Sequence, residues 1–321
     1  MTTADLLGKI LQVVMALVIF AAIIGLLIFF IDKAPKKGRD YWQLAGFLLP
    51  ALILVAIGLV YPAIRTSLLA FQDKSGEWTF DNFVWMFTQP AAIRTLINTL
   101  VWVLLVPTFA TAVGLAYAVF IDRSRGERYY KAILFMPMAI SFVGAGIIWR
   151  FVYEYKGVGD QIGILNAIVV AFGGDPVQWM QTDPINTILL IVVMIWIQTG
   201  FAMVLLSASI KGIPTEQIEA AQLDGTNAWQ RFTNVTLPGI RPTIVVVLTT
   251  ISIATLKVFD IVRTMTAGNF NTSVVANEMY TQAFRASEIG RGSALALILL
   301  IFVLPIIVYN VNTLRKQREI R

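Results

Sequence analysis

Seven stretches of this chain run for a membrane's thickness with few charges, at approximately 10–31, 44–70, 95–121, 130–152, 185–210, 243–266 and 292–314. A helix rises about 1.5 Å per residue, so about 20 apolar residues cross a hydrocarbon core about 30 Å thick. Backbone amides in hydrocarbon must pair within their own segment, so each run is expected to be a helix. Charged residues make up only 14% of the chain, against roughly 25% in a soluble domain. The fold expected is therefore all-α and integral to a membrane, with about seven transmembrane helices. Pro50, Pro62, Pro107, Pro137 and Pro305 fall inside these runs, where neighbouring helices and bends can re-pair the freed carbonyls. The run 162–173 is too short to span and ends in Gly173-Gly174-Asp175-Pro176, so it reads as an interfacial helix. The run 10–31 is longer than a signal-peptide core and is followed by Asp32-Lys33-Ala34-Pro35 rather than small residues. It reads as a retained anchor.

Basic residues orient the spans. Lys33, Lys36, Lys37 and Arg39, then Arg123, Arg125, Arg128 and Lys131, then Lys211, Arg231 and Arg241, then Arg315, Lys316, Arg318 and Arg321 all fall on one face if seven spans alternate. The richer face is expected to be cytoplasmic, which puts the N-terminus outside and the C-terminus inside. The net charge of +6 is accounted for by this asymmetry rather than by nucleic-acid binding. Trp78, Trp85, Tyr153, Tyr155 and Trp179 fall near span ends on the other face. They read as an interfacial aromatic belt, or as part of a platform for an external partner formed by 71–92 and 153–184. The chain has neither cysteine nor histidine. Thiolate and imidazole metal sites and histidine-based catalysis are therefore excluded, and no catalytic or metal-ligating set is expected.

Residues 211–241 interrupt this pattern with a long polar connector on the expected cytoplasmic face. Between Pro214 and Gly225 a short helix is expected, with Thr215 as its cap, Glu216 and Glu219 near its positive end, and Gly225 as a left-handed stop. A second follows, with Asn227 as cap and Gln230 three residues on. Trp229, Phe232 and Val235 share one face of it. Surface helices that rest on lipid are usually rich in Lys and Arg on their polar side. This one carries Glu216, Glu219 and Asp224, which favours a helix docked in another protein's groove.

The series Glu219-Ala220-Ala221, Asp224-Gly225, Trp229, Phe232 and Thr236-Leu237-Pro238 resembles the "EAA" coupling loop of ABC importer permeases of the maltose-type carbohydrate family. The similarity extends over nearly all of 42–314, and Pro137–Gly144 and Ile195–Phe201 resemble the α-glucoside subgroup, whose members carry an extra N-terminal helix. Two departures are Gly268-Asn269-Phe270 where the family often has Gly-Gly-Pro, and Thr226 where alanine is common. The resemblance implies three parts: an N-terminal helix and basic linker over 1–41, a six-helix permease core over 42–314 with its coupling loop at 211–241, and a basic tail over 315–321. It also implies a second permease subunit, a cytoplasmic ATPase dimer that binds ATP and Mg, an external sugar-binding protein and a neutral sugar. Glu219, Ala220, Ala221, Asp224, Gly225, Trp229 and Phe232 would engage the ATPase. The chain has no Gly-x-x-x-x-Gly-Lys-[Ser/Thr] loop of its own.

Polar side chains inside spans are costly and mark candidate substrate contacts. Gln198, Thr199 and Phe201 on one span and Ser252 and Thr255 on the next are expected to bind sugar, and the resemblance places Gln198, Phe201 and Thr255 at or beside positions where maltose-type permeases touch it. Ser and Thr in spans also serve as helix-to-helix glue. Lys257 and Asp260, three apart, are expected to form an intramembrane ion pair. No unbalanced basic cluster suits an anionic substrate, which favours a neutral carbohydrate over a phosphorylated polyol; a permease for another small polar solute (polyol or glycerol phosphate) is the alternative within the family. A lone ion-driven carrier and a membrane scaffold that recruits a soluble partner are the competing functions.

Overall fold

A computed structural model describes residues 3–32, 39–122 and 124–319. Lys33, Lys36, Lys37, Arg123 and Arg321 of the orientation count lie outside them, as do the side chains of Arg39, Arg315, Lys316 and Arg318. Among the described residues the chain is helical throughout, with a lone antiparallel bridge between Gln72 and Trp78 and no strand. Six helices are long and apolar enough to cross a membrane, or seven if a bent pair forms one span. The chain divides into two compact units, Met1–Thr66 and Ser67–Arg321.

In the first unit, α1 (Thr3–Asp32) meets α2 (Arg39–Val55). None of the residues in the Gly8–Gly25 stretch of α1 is buried. Apolar on every side and uncovered by protein, such a helix is stable only with lipid as its solvent. A π turn, Ala56–Val60, then leads into α3 (Tyr61–Leu69). The Tyr61 amide reaches back five residues to the Ala56 carbonyl. Pro62 follows directly, and because proline has no amide to donate, the widened turn takes up the irregularity without ending the helix.

In the second unit, α4 (Asp81–Thr88) and the 32-residue α5 (Pro90–Ile121) precede α6 (Glu127–Phe135). Next come α7 (Phe142–Val152), the short α8 (Ile164–Ala171) at the expected interfacial position, and α9 (Ile185–Lys211). The core lies where α5 crosses α9, with α12 (Leu237–Leu256) against both. Trp102, Val106, Met194, Ile197, Met203 and Leu206 are fully enclosed there. Gly114 permits the crossing. A Cβ at that position would stand 2.6 Å from Ala202 Cβ and 2.9 Å from the Met203 amide nitrogen. Gly200 does the same for α6, since its Cβ would lie 2.5 Å from the Leu134 carbonyl oxygen.

Two spans differ from their sequence reading. The expected straight helix over 130–152 is bent by 101° between Ala139 and Phe142. Pro137 opens a single 3₁₀ turn, Ile140 is extended, and Ser141 caps α7 by accepting the Gly144 amide at 3.1 Å. The expected span over 243–266 instead begins at Ala228 and stops at Leu256. Its polar start is helical because Phe232–Thr236 form a π turn, with the Leu237 amide bonded to the Phe232 carbonyl ahead of Pro238. Pro238 therefore does not close a separate loop.

After Leu256 come α13 (Asp260–Met265), α14 (Val275–Tyr280), a π turn at Thr281–Arg285, and α15 (Ile289–Glu319), which packs on α12. The turn between α13 and α14 has positive φ at Ala267, Gly268, Phe270 and Asn271. Three of these are not glycine, so neighbouring groups must hold them. Asn98 on α5, 5% exposed, donates to the Asn271 and Ser273 carbonyls at 2.6 and 3.0 Å. Asn186 on α9 donates to the Phe270 carbonyl at 2.8 Å. Asp183 accepts from Arg94 at 2.5 Å and from Asn271 at 3.2 Å. Replacing Asn98 by Ala leaves two carbonyls without this donor. The cost expected is about 2 kcal/mol, read as a lower thermal midpoint of the detergent-purified protein.

Candidate functional site

The connector after α9 folds as a helical hairpin. Gly212 ends α9, its amide bonded to the Ala208 carbonyl at 3.1 Å. Ile213, 8% exposed, turns into the bundle, and Pro214 occupies the N-cap position of α10 (Thr215–Leu223). Thr215 is consequently the first helical residue, not the cap, and no side chain caps this end. The other end closes firmly. Gly225 has φ +76°, its amide bonds the Gln222 carbonyl at 3.0 Å, and the Thr226 amide bonds the Ala221 carbonyl at 3.2 Å. That bond pair is the Schellman stop, whose left-handed residue is cheap only as glycine. Thr226, the departure from alanine, adds its hydroxyl to the Ala221 carbonyl at 2.6 Å, and Arg231 Nη1 holds the Thr226 carbonyl at 2.9 Å.

The returning arm, α11 (Ala228–Arg231), starts with the expected capping box. Asn227 Oδ1 accepts the Gln230 amide at 2.8 Å, and Gln230 Oε1 accepts the Asn227 amide at 2.9 Å. Ile218 and Val235 pack on the bundle core and Ala221 is buried, which anchors the inner side of the hairpin. The outer side is different. Glu219, Ala220, Asp224 and Gly225 are exposed, Leu223 is 90% exposed and Trp229 is 70% exposed. The Trp229 ring rests 5.7 Å from the half-buried Phe232 ring. Two large apolar side chains beside two carboxylates, on a hairpin braced by six hydrogen bonds of its own, form a surface of the kind that seats in another protein. Leu223 was missed in the sequence, where it reads only as the last residue before an Asp-Gly stop.

The expected substrate residues lie on the α9 and α12 helices, which pack together. Gln198 and Thr199 are buried, Phe201 is half-buried against the core, and Ser252 is half-buried. Thr199, Ser252 and Thr255 each spend their hydroxyl on a carbonyl four residues back, at 2.7, 2.8 and 2.7 Å. Thr255 is fully enclosed. It cannot touch a solute in this conformation, and for it the helix-internal role replaces the expected sugar contact. Lys257 and Asp260 do not form the expected ion pair. The helix ends at Leu256, so the one-turn spacing that would join them is lost, and Asp260 begins α13 instead. Arg263, one turn further, lies 4.8 Å over the Tyr280 ring.

At the end of the bundle away from the hairpin, the belt residues are not equivalent. Tyr153 is 3% exposed, with its hydroxyl donating to the Leu189 carbonyl, and Trp179 Nε1 donates to Asn166 Oδ1 at 2.8 Å. Both are structural, whereas Trp78 stays 67% exposed. A cavity of about 250 Å³ opens there between Arg150, Glu154, Tyr155, Trp179 and Phe270. Nearby, Lys74 at 2.7 Å holds the Glu288 carboxyl below its ordinary range, and the Ser75 hydroxyl does the same for Asp73.

A helical membrane bundle with broken spans, a cavity at one end and a braced hairpin with exposed apolar side chains at the other has the form of a transport subunit that works in an assembly. Residues 91–320 match the family model for the binding-protein-dependent transport system inner membrane component, and the chain belongs to that family. It is 45% identical to the alpha-glucoside transport system permease protein AglF of Rhizobium meliloti (strain 1021), over 84% of this chain and 82% of that protein. It is 44% identical to the osmoprotective compounds uptake permease protein GgtC of Synechocystis sp., over 86% of this chain and all of that one. Among solved structures it resembles a chain of a bacterial ABC transporter involved in the import of the acidic polysaccharide alginate. That likeness has a TM-score of 0.76 and 26% identity, over 88% of this chain and 98% of the other.

Proposed function

We propose that this chain is one permease subunit of an ABC importer for a neutral sugar, of the α-glucoside disaccharide class, paired with a second permease subunit. The 45% identity to an α-glucoside permease over most of both chains carries this reading. A cytoplasmic ATPase pair would hold ATP and Mg and grip the hairpin surface of Glu219, Ala220, Leu223, Asp224 and Trp229, which Ala221, Gly225 and Phe232 brace from within. An external binding protein would deliver the sugar at the opposite end. Support for that partner comes from a related structure, the alginate transporter in complex with an alginate pentasaccharide-bound periplasmic protein, whose matching chain is 26% identical. In this arrangement the N-terminus is outside, 42–314 form the permease core, and the 315–321 tail is cytoplasmic.

The physical logic is that of alternating access. Closure of the ATPase pair moves the two docked hairpins, and the bundle rocks around a site near the membrane midplane. Gln198, Thr199, Phe201 and Ser252 remain the proposed sugar contacts, since amides and hydroxyls pair a sugar's hydroxyls and a ring covers its C–H face. Gln198→Ala is expected to lower sugar uptake about tenfold while assembly stays intact. Uptake assays over a range of sugar concentrations check this, and wild-type curves would remove Gln198 from the site.

The deciding experiment is a panel of maltose, trehalose and sucrose loaded on the cognate binding protein, with ATP hydrolysis by the reconstituted complex as readout. Stimulation by one or more of these sugars supports the reading, and none from any of them contradicts it. A second reading, uptake of an osmoprotective compound, is favoured by the 44% identity to the Synechocystis permease. It predicts stimulation by non-sugar osmoprotective compounds in place of the disaccharides.

A further inference from the structure

Where α5, α6 and α9 meet at the hairpin end, four charged side chains cluster among the described residues. Glu127 opens α6, Lys131 follows one turn later, Asp122 caps the end of α5, and Lys211 is the last residue of α9. One carboxylate oxygen, Glu127 Oε1, accepts from both Lys131 Nζ and Lys211 Nζ at 2.5 Å. Lys211 Nζ also stands 3.7 Å from Asp122 Oδ1, and Lys131 Nζ donates to Ser207 Oγ on α9. The Glu127 and Lys131 side chains are 22% and 23% exposed, so solvent screens their bond only in part.

Position gives this cluster its meaning. Lys211 is separated from the first residue of α10 by only Gly212, Ile213 and Pro214. Glu127 lies at the far end of the segment that reaches the 101° bend through Pro137. Between these points α6 already lies close on α9 at Gly200. A push on the hairpin reaches α12 through the returning arm and α9 through Lys211, and the shared carboxylate links the α9 side to α6. Without Glu127, the two ammonium groups would repel across the same gap, and the hairpin end of α6 would be held to α9 less tightly.

We propose that Glu127 is a positioning residue that straps the root of the hairpin to α6, so that hairpin displacement moves the bent α6–α7 span together with α9. This rests on the hairpin being the ATPase-docking element. Its signature is a change in coupling, not in stability: ATP hydrolysed per sugar delivered rises while both partners remain bound.

The test uses the complete complex in proteoliposomes, with whichever of maltose, trehalose or sucrose the wild type carries fastest. Glu127→Gln is expected to lower sugar delivered per ATP about fivefold, with ATPase retention unchanged. Lys211→Gln, at a half-exposed position, should do the same, and it decides the matter alone if the first variant fails to assemble. A wild-type ratio in both single variants overturns the proposal. Glu219→Lys, measured in parallel, reports on the hairpin itself. Wild-type coupling there refutes the docking reading, whereas altered coupling there with unaltered Glu127→Gln refutes only the strap.

Discussion

Glu219→Lys abolishes most sugar-stimulated ATP hydrolysis in the reconstituted complex, by at least about tenfold, while membrane insertion and the thermal midpoint of the isolated subunit stay as in wild type. The separation follows from where Glu219 sits. It is exposed on the outer side of α10, and among the described residues it has neither an ion pair nor a side-chain hydrogen bond, so nothing inside the chain is lost with it. In a docked interface the same carboxylate is desolvated against a basic partner, and reversing its sign replaces an attraction with a repulsion. Stimulated ATP hydrolysis at the wild-type rate would remove Glu219 from the docking surface.

Trp229→Ala weakens retention of the ATPase by roughly thirtyfold, about 2 kcal/mol or more, again with little effect on the permease alone. At 70% exposure the indole buries little within this chain, apart from its contact with Phe232. Large apolar side chains left open in this way gain their stabilisation from a partner, and aromatic anchors dominate such interfaces. The assay is the amount of ATPase recovered with affinity-purified permease at several salt concentrations. If recovery is unchanged, Trp229 rests on lipid headgroups, the competing reading of this amphipathic element.

The hairpin was legible in the sequence because its determinants are local. A glycine that must be left-handed, an Asn–Gln capping pair and a run of acidic and small residues specify two short helices within about 20 positions. The spans were legible for a similar reason, since twenty apolar residues in succession have one stable solution in lipid. Hydropathy is blind to backbone breaks, however. The run 130–152 contains Pro137 and a Ser141–Gly144 cap, yet every residue around them is apolar, so the bend leaves the sum unchanged. The opposite error occurred between the second hairpin helix and the next span, where Pro238 and Pro242 read as a break. A π turn absorbs them into one continuous helix.

Contacts between distant segments were the least legible. Asn98, Asn186 and Asp183 hold the turn at 267–271 from across the sequence, and nothing near any of them announces that role. The same limit explains Thr255. Its residue type suited a sugar contact, but which face of α12 meets α5 and α9 is set by packing, and that face encloses it. The Glu127 strap joins residues 84 positions apart and was equally hidden.

The account stands on the hairpin lying inside the cell against a separate ATPase. The chain has no native cysteine, so Leu223→Cys, at a position 90% exposed, introduces a unique thiol at the hairpin's tip. In intact cells the account predicts no labelling by a membrane-impermeant maleimide, and a thiol-directed cross-linker of short reach yields an adduct with the ATPase subunit. Labelling from outside, or an adduct with the external binding protein instead, would contradict it.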